Sequence, residues 1–180
     1  MIQRDRLIQT FLELVQLDSE SKSERPVADY TAAKLRALGY EVKEDHANAQ
    51  TGGNAGNIIA YKAGNTEGKT VMFCSHMDTV PPGCGVKPIV EGDIIRTDGT
   101  TVLGGDDKAG IAAILEAATA IEENHMAHGP IQVVFTISEE IGLLGAKYID
   151  LEGFPKTDAA FLFDSEGMPS EICVASPYHI

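Results

Sequence analysis

Three stretches of the chain are apolar without alternation, and each runs straight into acidic or histidine residues. They are Val71 to Cys74, Ile131 to Ile137 and Ala159 to Phe163. A short run with no polar alternation predicts a strand covered on both faces, the pattern of a parallel sheet. Parallel neighbours need crossover connections, and these are usually helical. Helical stripes do alternate with the runs. Residues 3–17 place Leu7, Phe11, Leu12 and Val15 on one face. Residues 24–38 do the same with Val27, Tyr30, Leu35 and Leu38, and Gly39 then ends the helix. Ile111, Ile114, Leu115 and Ala118 mark a helix over residues 106–124, and a further one is expected at about 142–150.

Shorter strands are predicted over 40–44, 57–61, 69–74 and 171–175, with Gly- and Asn-rich loops at 51–56 and 63–68. Strands alternating with helices point to an α/β fold: a mostly parallel mixed sheet with helices on both faces. At 180 residues one domain is expected.

Composition narrows the function. The 27 acidic side chains against 14 basic ones leave a formal charge of −13, which argues against nucleic-acid or anionic-membrane binding, since both need a basic face. Cys74, Cys84 and Cys173 are odd in number and form no CxxC pair, so neither a disulfide framework nor a thiolate zinc site is indicated. The first residues show no apolar signal region, and no apolar run approaches 18 residues, so a cytoplasmic location is expected.

Parallel strands present ligand-binding residues at their C-terminal ends. His76 and Asp78 follow the first run, Glu139 and Glu140 the second, and Asp164 the third, while Asp106 and Asp107 open the long helix after Gly104-Gly105. Asp78, Asp106, Glu139, Glu140 and Asp164 would place five carboxylates beside one imidazole, and these cannot all stay ionised without positive compensation. Lys108 is the one cation on these motifs. Two divalent ions would supply +4, and an imidazole with carboxylates suits zinc, with cobalt or manganese as alternatives.

The strings Ser75-His76-Met77-Asp78-Thr79-Val80, Gly104-Gly105-Asp106-Asp107-Lys108-Ala109-Gly110, Ser138-Glu139-Glu140-Ile141-Gly142 and Phe163-Asp164 resemble the co-catalytic dinuclear metallopeptidase family that contains peptidase T. The resemblance implies a zinc-exopeptidase-like fold and hydrolysis of the N-terminal bond of short peptides. It implies that His76 and Asp164 hold one metal, that Glu140 holds the other, and that Asp106 bridges them. Asp78 would orient the His76 ring, and Glu139 would be the general base. An aspartate at position 164 resembles the aminopeptidase and tripeptidase branch more than the carboxypeptidase and acylase branches. The family also implies a cis peptide between Asp106 and Asp107.

Members take a further histidine ligand from late in the chain and carry a lid domain, through which a homodimer would form. Neither is matched in this sequence, and His179 does not fit the late-histidine setting. Residues 1–180 are therefore expected to be the N-terminal portion of the catalytic domain, with the lid absent and activity reduced.

Other readings compete. A related amidohydrolase of aminoacylase or dipeptidase type shares the motifs, and a non-catalytic binding fragment would share the fold. Residues 63–70 satisfy a relaxed phosphate-loop pattern, but Lys69-Thr70 leads into a strand, whereas phosphate binding needs a helix there. His125 and His128 suit a helix C-terminus, and His46 stands in a polar loop.

Overall fold

The computed structural model describes residues 1–164 and 172–174. Five strands form one sheet in the order β1-β2-β6-β3-β7. They are β1 (Glu41–Glu44), β2 (Ile58–Lys62), β3 (Val71–His76), β6 (Ile131–Thr136) and β7 (Ala159–Leu162). The helices are α1 (Arg4–Val15), α2 (Arg25–Ala37), α3 (Asn48–Thr51), α4 (Gly105–Glu123) and α5 (Leu144–Lys147). A separate hairpin joins β4 (Ile89–Glu91) to β5 (Ile94–Arg96).

The α/β class and the mixed sheet agree with the sequence reading. The parallel pairs are β6 with β3 and β3 with β7, whereas β1 with β2 and β2 with β6 run antiparallel. Parallel pairing is thus confined to the three strands that carry the non-alternating apolar runs. β6 lies at the centre of the sheet, and its residues 131–135 are all buried. β7 lies at an edge, so its apolar run is only half covered: Phe161, Leu162 and Phe163 are exposed.

The sequence reading spread the helices over both faces, but the long ones share one. Leu14 of α1, Val27 and Leu35 of α2, and Ile111 and Leu115 of α4 belong to one core with Ile58, Ala60, Val133 and Phe135. The opposite face carries Ile59, Met72 and Val134, met by Cys74, Ile149 and Phe154. The predicted helix at 142–150 shortens to α5, which follows two residues with positive φ, Gly142 and Leu143.

Gly145 is required there. A Cβ at this position would lie 2.2 Å from the Ile137 carbonyl oxygen, so only glycine lets α5 pack onto the end of β6. Asn57 ties the same corner, with Nδ2 donating to the Asp45 carboxylate and the Gly145 carbonyl while Oδ1 accepts from Ile137 N–H.

α3 and the β4–β5 hairpin were not expected. The hairpin turns through Gly92-Asp93, with Gly92 at φ 63°, a two-residue connection that suits glycine. The strand predicted at 171–175 lies partly outside the described residues, and residues 172–174 are not in a strand. His179 also lies outside them. Lys69-Thr70 precedes β3, so residues 63–70 connect two strands and lead into a strand, not a helix. Among the described residues no helix is long and apolar enough to cross a membrane.

Candidate metal centre

The three parallel strands end on the same side of the sheet, and register decides what meets there. Cys74 is opposite Leu162, and Phe163 N–H donates to the Cys74 carbonyl, so the chain carries Asp164 towards His76. On the other side of β3, His76 pairs with Thr136, three residues before Glu139.

Asp106 arrives from α4. Gly104 adopts φ 72°, and Asp106 and Asp107 depart from helical geometry, so the regular helix begins only after them. The Asp106–Asp107 peptide is cis. The two carboxylates meet different surroundings. Asp106 is 71% exposed and Asp107 is buried.

His76 is the hub. Its Nε2 lies 3.0 Å from Asp106 Oδ1 and 3.9 Å from Glu139 Oε2. On the far side of the ring, Nδ1 lies 3.0 Å from the Asp78 carbonyl oxygen and 3.5 Å from Asp78 Oδ1. The shorter contact is with the carbonyl, so the ring is set first by main chain and then by the carboxylate.

Two groups of side chains bring one ligand atom each to within 4.8 Å of the others. The first is His76, Asp106 and Glu140, and the second is His76, Glu139 and Asp164. The six residues singled out from the sequence therefore converge, with Asp78 directly behind His76. His46, His125 and His128 belong to neither group.

The electrostatics describe a site short of positive charge. Burial alone lowers the pKa of His76, but Asp78, Asp106 and Glu139 outweigh it and raise it to about 10. Burial raises the Glu139 carboxyl, and Asp164, Asp78 and Asp106 add to the effect against the opposing pull of His76. Glu140 is raised in the same way, by burial and then by Asp106, Glu139 and Asp78. The donor set, one imidazole nitrogen with two carboxylates in each group, fits a divalent cation of the zinc type.

Lys108, the one cation on these motifs, is engaged elsewhere. Its buried ammonium donates to the Leu17 carbonyl at 2.9 Å, and burial lowers its pKa to about 8. Asp107 also turns inward, accepting from Ser75 Oγ at 2.6 Å and from Gly110 N–H at 3.1 Å, and burial raises its pKa to about 7.

Sequence reasoning missed what supports the 138–140 turn. Asp78 is fully buried and accepts from Glu139 N–H at 2.9 Å, Glu140 N–H at 3.2 Å and Ser21 Oγ at 2.7 Å. Burial raises the Asp78 carboxyl, but His76 first, then Ser21 and the Glu139 N–H, outweigh it and hold the carboxyl below its ordinary pKa. Glu24, also fully buried, accepts from Ser138 N–H at 3.0 Å. No motif marks Ser21 or Glu24, and an acid at the start of a helix is ordinary.

Comparison with known proteins agrees with this geometry. The uncharacterized protein YqjE of Bacillus subtilis is 45% identical over 177 residues, covering 98% of this chain and 47% of that protein. A tripeptidase structure from Staphylococcus aureus superposes with a TM-score of 0.89 at 44% identity, covering 93% of this chain and 45% of that one. Aminopeptidase PepT from Bacillus cereus gives 0.88 at 44% identity, covering 92% and 44%. The chain thus spans about half the length of the relatives it matches. Residues 57–175, which run from β2 through every strand end described above, match the family profile, and the chain belongs to Peptidase family M28.

Proposed function

We propose that this chain carries the metal centre of an aminopeptidase of the tripeptidase type, which removes the N-terminal residue from short peptides. Residues 1–180 would form the N-terminal portion of its catalytic domain, in keeping with the partial coverage of the longer relatives. A cytoplasmic location fits this substrate. The observation that carries the reading is the convergence of His76, Asp106, Glu139, Glu140 and Asp164 at one edge of the parallel strands.

In this reading His76 and Asp164 would hold one divalent ion, Glu140 would hold a second, and Asp106 would serve as a ligand to both. When bound, such a pair lowers the pKa of a water molecule and polarises the scissile carbonyl. Glu139 is the proton carrier. Its carboxylate takes a proton from the attacking water as the new C–O bond forms, then returns it to the leaving amine as the C–N bond breaks. Its raised pKa suits that task, because a base closer to neutral both accepts and releases a proton readily. Asp78 holds the Glu139 and Glu140 amides on one oxygen each, so the base and a ligand are carried on one fixed turn.

Hydrolysis of a tripeptide is to be measured with zinc, cobalt or manganese added, for the wild type and for Glu139→Gln. The expected result is metal-dependent release of the N-terminal residue by the wild type. The variant should lose activity by on the order of 10³-fold while retaining its metal content. Activity surviving in Glu139→Gln would remove Glu139 from the base role, and a metal-loaded full-length chain without activity would defeat the peptidase reading.

A further inference from the structure

The turn at residues 138–140 departs from ordinary backbone geometry, since Ser138 has φ 51°. A residue with a Cβ is disfavoured there and stays only where its surroundings hold it. The holding groups are two buried carboxyls. Three successive main-chain N–H groups donate to them: Ser138 to Glu24, then Glu139 and Glu140 to Asp78. Glu24 Oε1 also accepts from Ser138 Oγ at 3.2 Å and from Lys22 N–H at 2.8 Å. Ser21 Oγ donates to Asp78, so the short connection between α1 and α2 supports both carboxyls.

From this arrangement we propose that Glu24 is a positioning residue: it locks Ser138 in its left-handed conformation and thereby aims Glu139 and Glu140 into the metal centre. The role assigned to Glu139 rests on the peptidase reading above, whereas the geometry of the turn does not. A plain helix-terminal role for Glu24 explains less. Its side chain caps no N–H of α2, and it reaches across to a residue 114 positions away. A helix dipole is served equally well by an exposed acid, which avoids the cost of burial. Glu24 Oε2 is buried without a hydrogen-bond partner, so the fold tolerates a cost at this position for the sake of what Oε1 holds.

The test uses the longest form of the polypeptide that hydrolyses a tripeptide, and compares Glu24→Gln, Glu24→Asp and Glu24→Met. Leu35→Ala, at a fully buried core position of α2, serves as a destabilised control. Readouts are kcat and KM at saturating zinc, zinc affinity, and hydrogen exchange of the 138–140 amides. Gln keeps an oxygen acceptor at the same reach and should stay within about threefold of wild type in kcat. Asp is one methylene short and Met has no acceptor. Both should lose on the order of 10²-fold in kcat with KM nearly unchanged, the cost typical of a group misplaced by about 1 Å. Both should also bind zinc on the order of 10-fold more weakly and exchange the Glu139 and Glu140 amides faster. Leu35→Ala should melt earlier with kcat unchanged.

Wild-type kcat and exchange in the Met variant would overturn the proposal. So would a Gln variant as impaired as Asp, because charge and not position would then be the cause. If no form hydrolyses peptides, the peptidase reading fails, and amide exchange with zinc affinity still decides the role of Glu24.

Discussion

Replacing Asp78 by Asn tests how the site is held together, because the change preserves shape and removes one acceptor. The two oxygens of Asp78 serve three donors: Oδ1 takes Glu139 N–H, and Oδ2 takes Glu140 N–H and Ser21 Oγ. An asparagine presents a single oxygen. Whichever way the amide turns, one buried main-chain N–H faces an NH₂ group. An orphaned buried amide costs about 1–3 kcal/mol, and losing a hydrogen bond to a charged group costs a similar amount. The expected destabilisation of the metal-free protein at pH 7 is therefore about 2–5 kcal/mol, a large share of the roughly 5–15 kcal/mol available to a domain. Urea denaturation followed by circular dichroism should show the midpoint falling by roughly 1–2 M with the slope unchanged. The Asp78 carboxyl is held below its ordinary pKa, so its contribution is present above the unfolded value of about 3.9 and fades as pH falls through the folded one. The gap between wild type and variant should narrow below about pH 4. A variant within about 0.5 kcal/mol of wild type at pH 7, or a gap that does not change in acid, would refute the reasoning.

Two further predictions concern charge. The His76 pKa of about 10 in the metal-free protein means that a proton occupies the ring at neutral pH, contributing stability that is full below about pH 6.5 and lost as pH rises through about 10. Zinc must displace that proton, so calorimetry in buffers of different ionisation enthalpy should show about one proton released from His76 per zinc bound there, with affinity rising as pH rises towards 9. Between α1 and α4, Arg6 makes two hydrogen bonds, at 2.6 and 3.0 Å, to Glu116, whose side chain is 2% exposed. Arg6→Met should cost about 2–4 kcal/mol by leaving that carboxylate uncompensated, while Arg6→Met with Glu116→Leu should return to within about 1 kcal/mol of wild type in thermal unfolding.

Much of the site was legible because its residues are fixed by strand ends. Once Val71 to Cys74, Ile131 to Ile137 and Ala159 to Phe163 are read as parallel strands, His76, Glu139, Glu140 and Asp164 must gather at one edge, and the Gly104-Gly105 turn brings Asp106 to it. α1, α2 and α4 were legible from their apolar stripes. What stayed hidden depends on contacts between distant segments. The direction of β2 is decided by pairing with β6 and that of β1 by pairing with β2, which periodicity does not encode. Lys108 is next to Asp107 in sequence, yet its ammonium is bound to the Leu17 carbonyl. Glu24 and Ser21 carry no motif: Glu24 meets Ser138, 114 positions away, and Ser21 meets Asp78, 57 positions away. The Gly92-Asp93 turn is a local signal and was within reach of sequence reasoning.

Central to the proposed function is that the crowded carboxylates at this sheet edge hold divalent cations. Anomalous diffraction at the zinc absorption edge, on crystals of the zinc-loaded protein, tests it directly. The predicted result is two peaks among His76, Asp106, Glu140 and Asp164, with Asp106 between them, and loss of both in Asp106→Ala. Zinc bound elsewhere, with no anomalous peak beside His76, would contradict it.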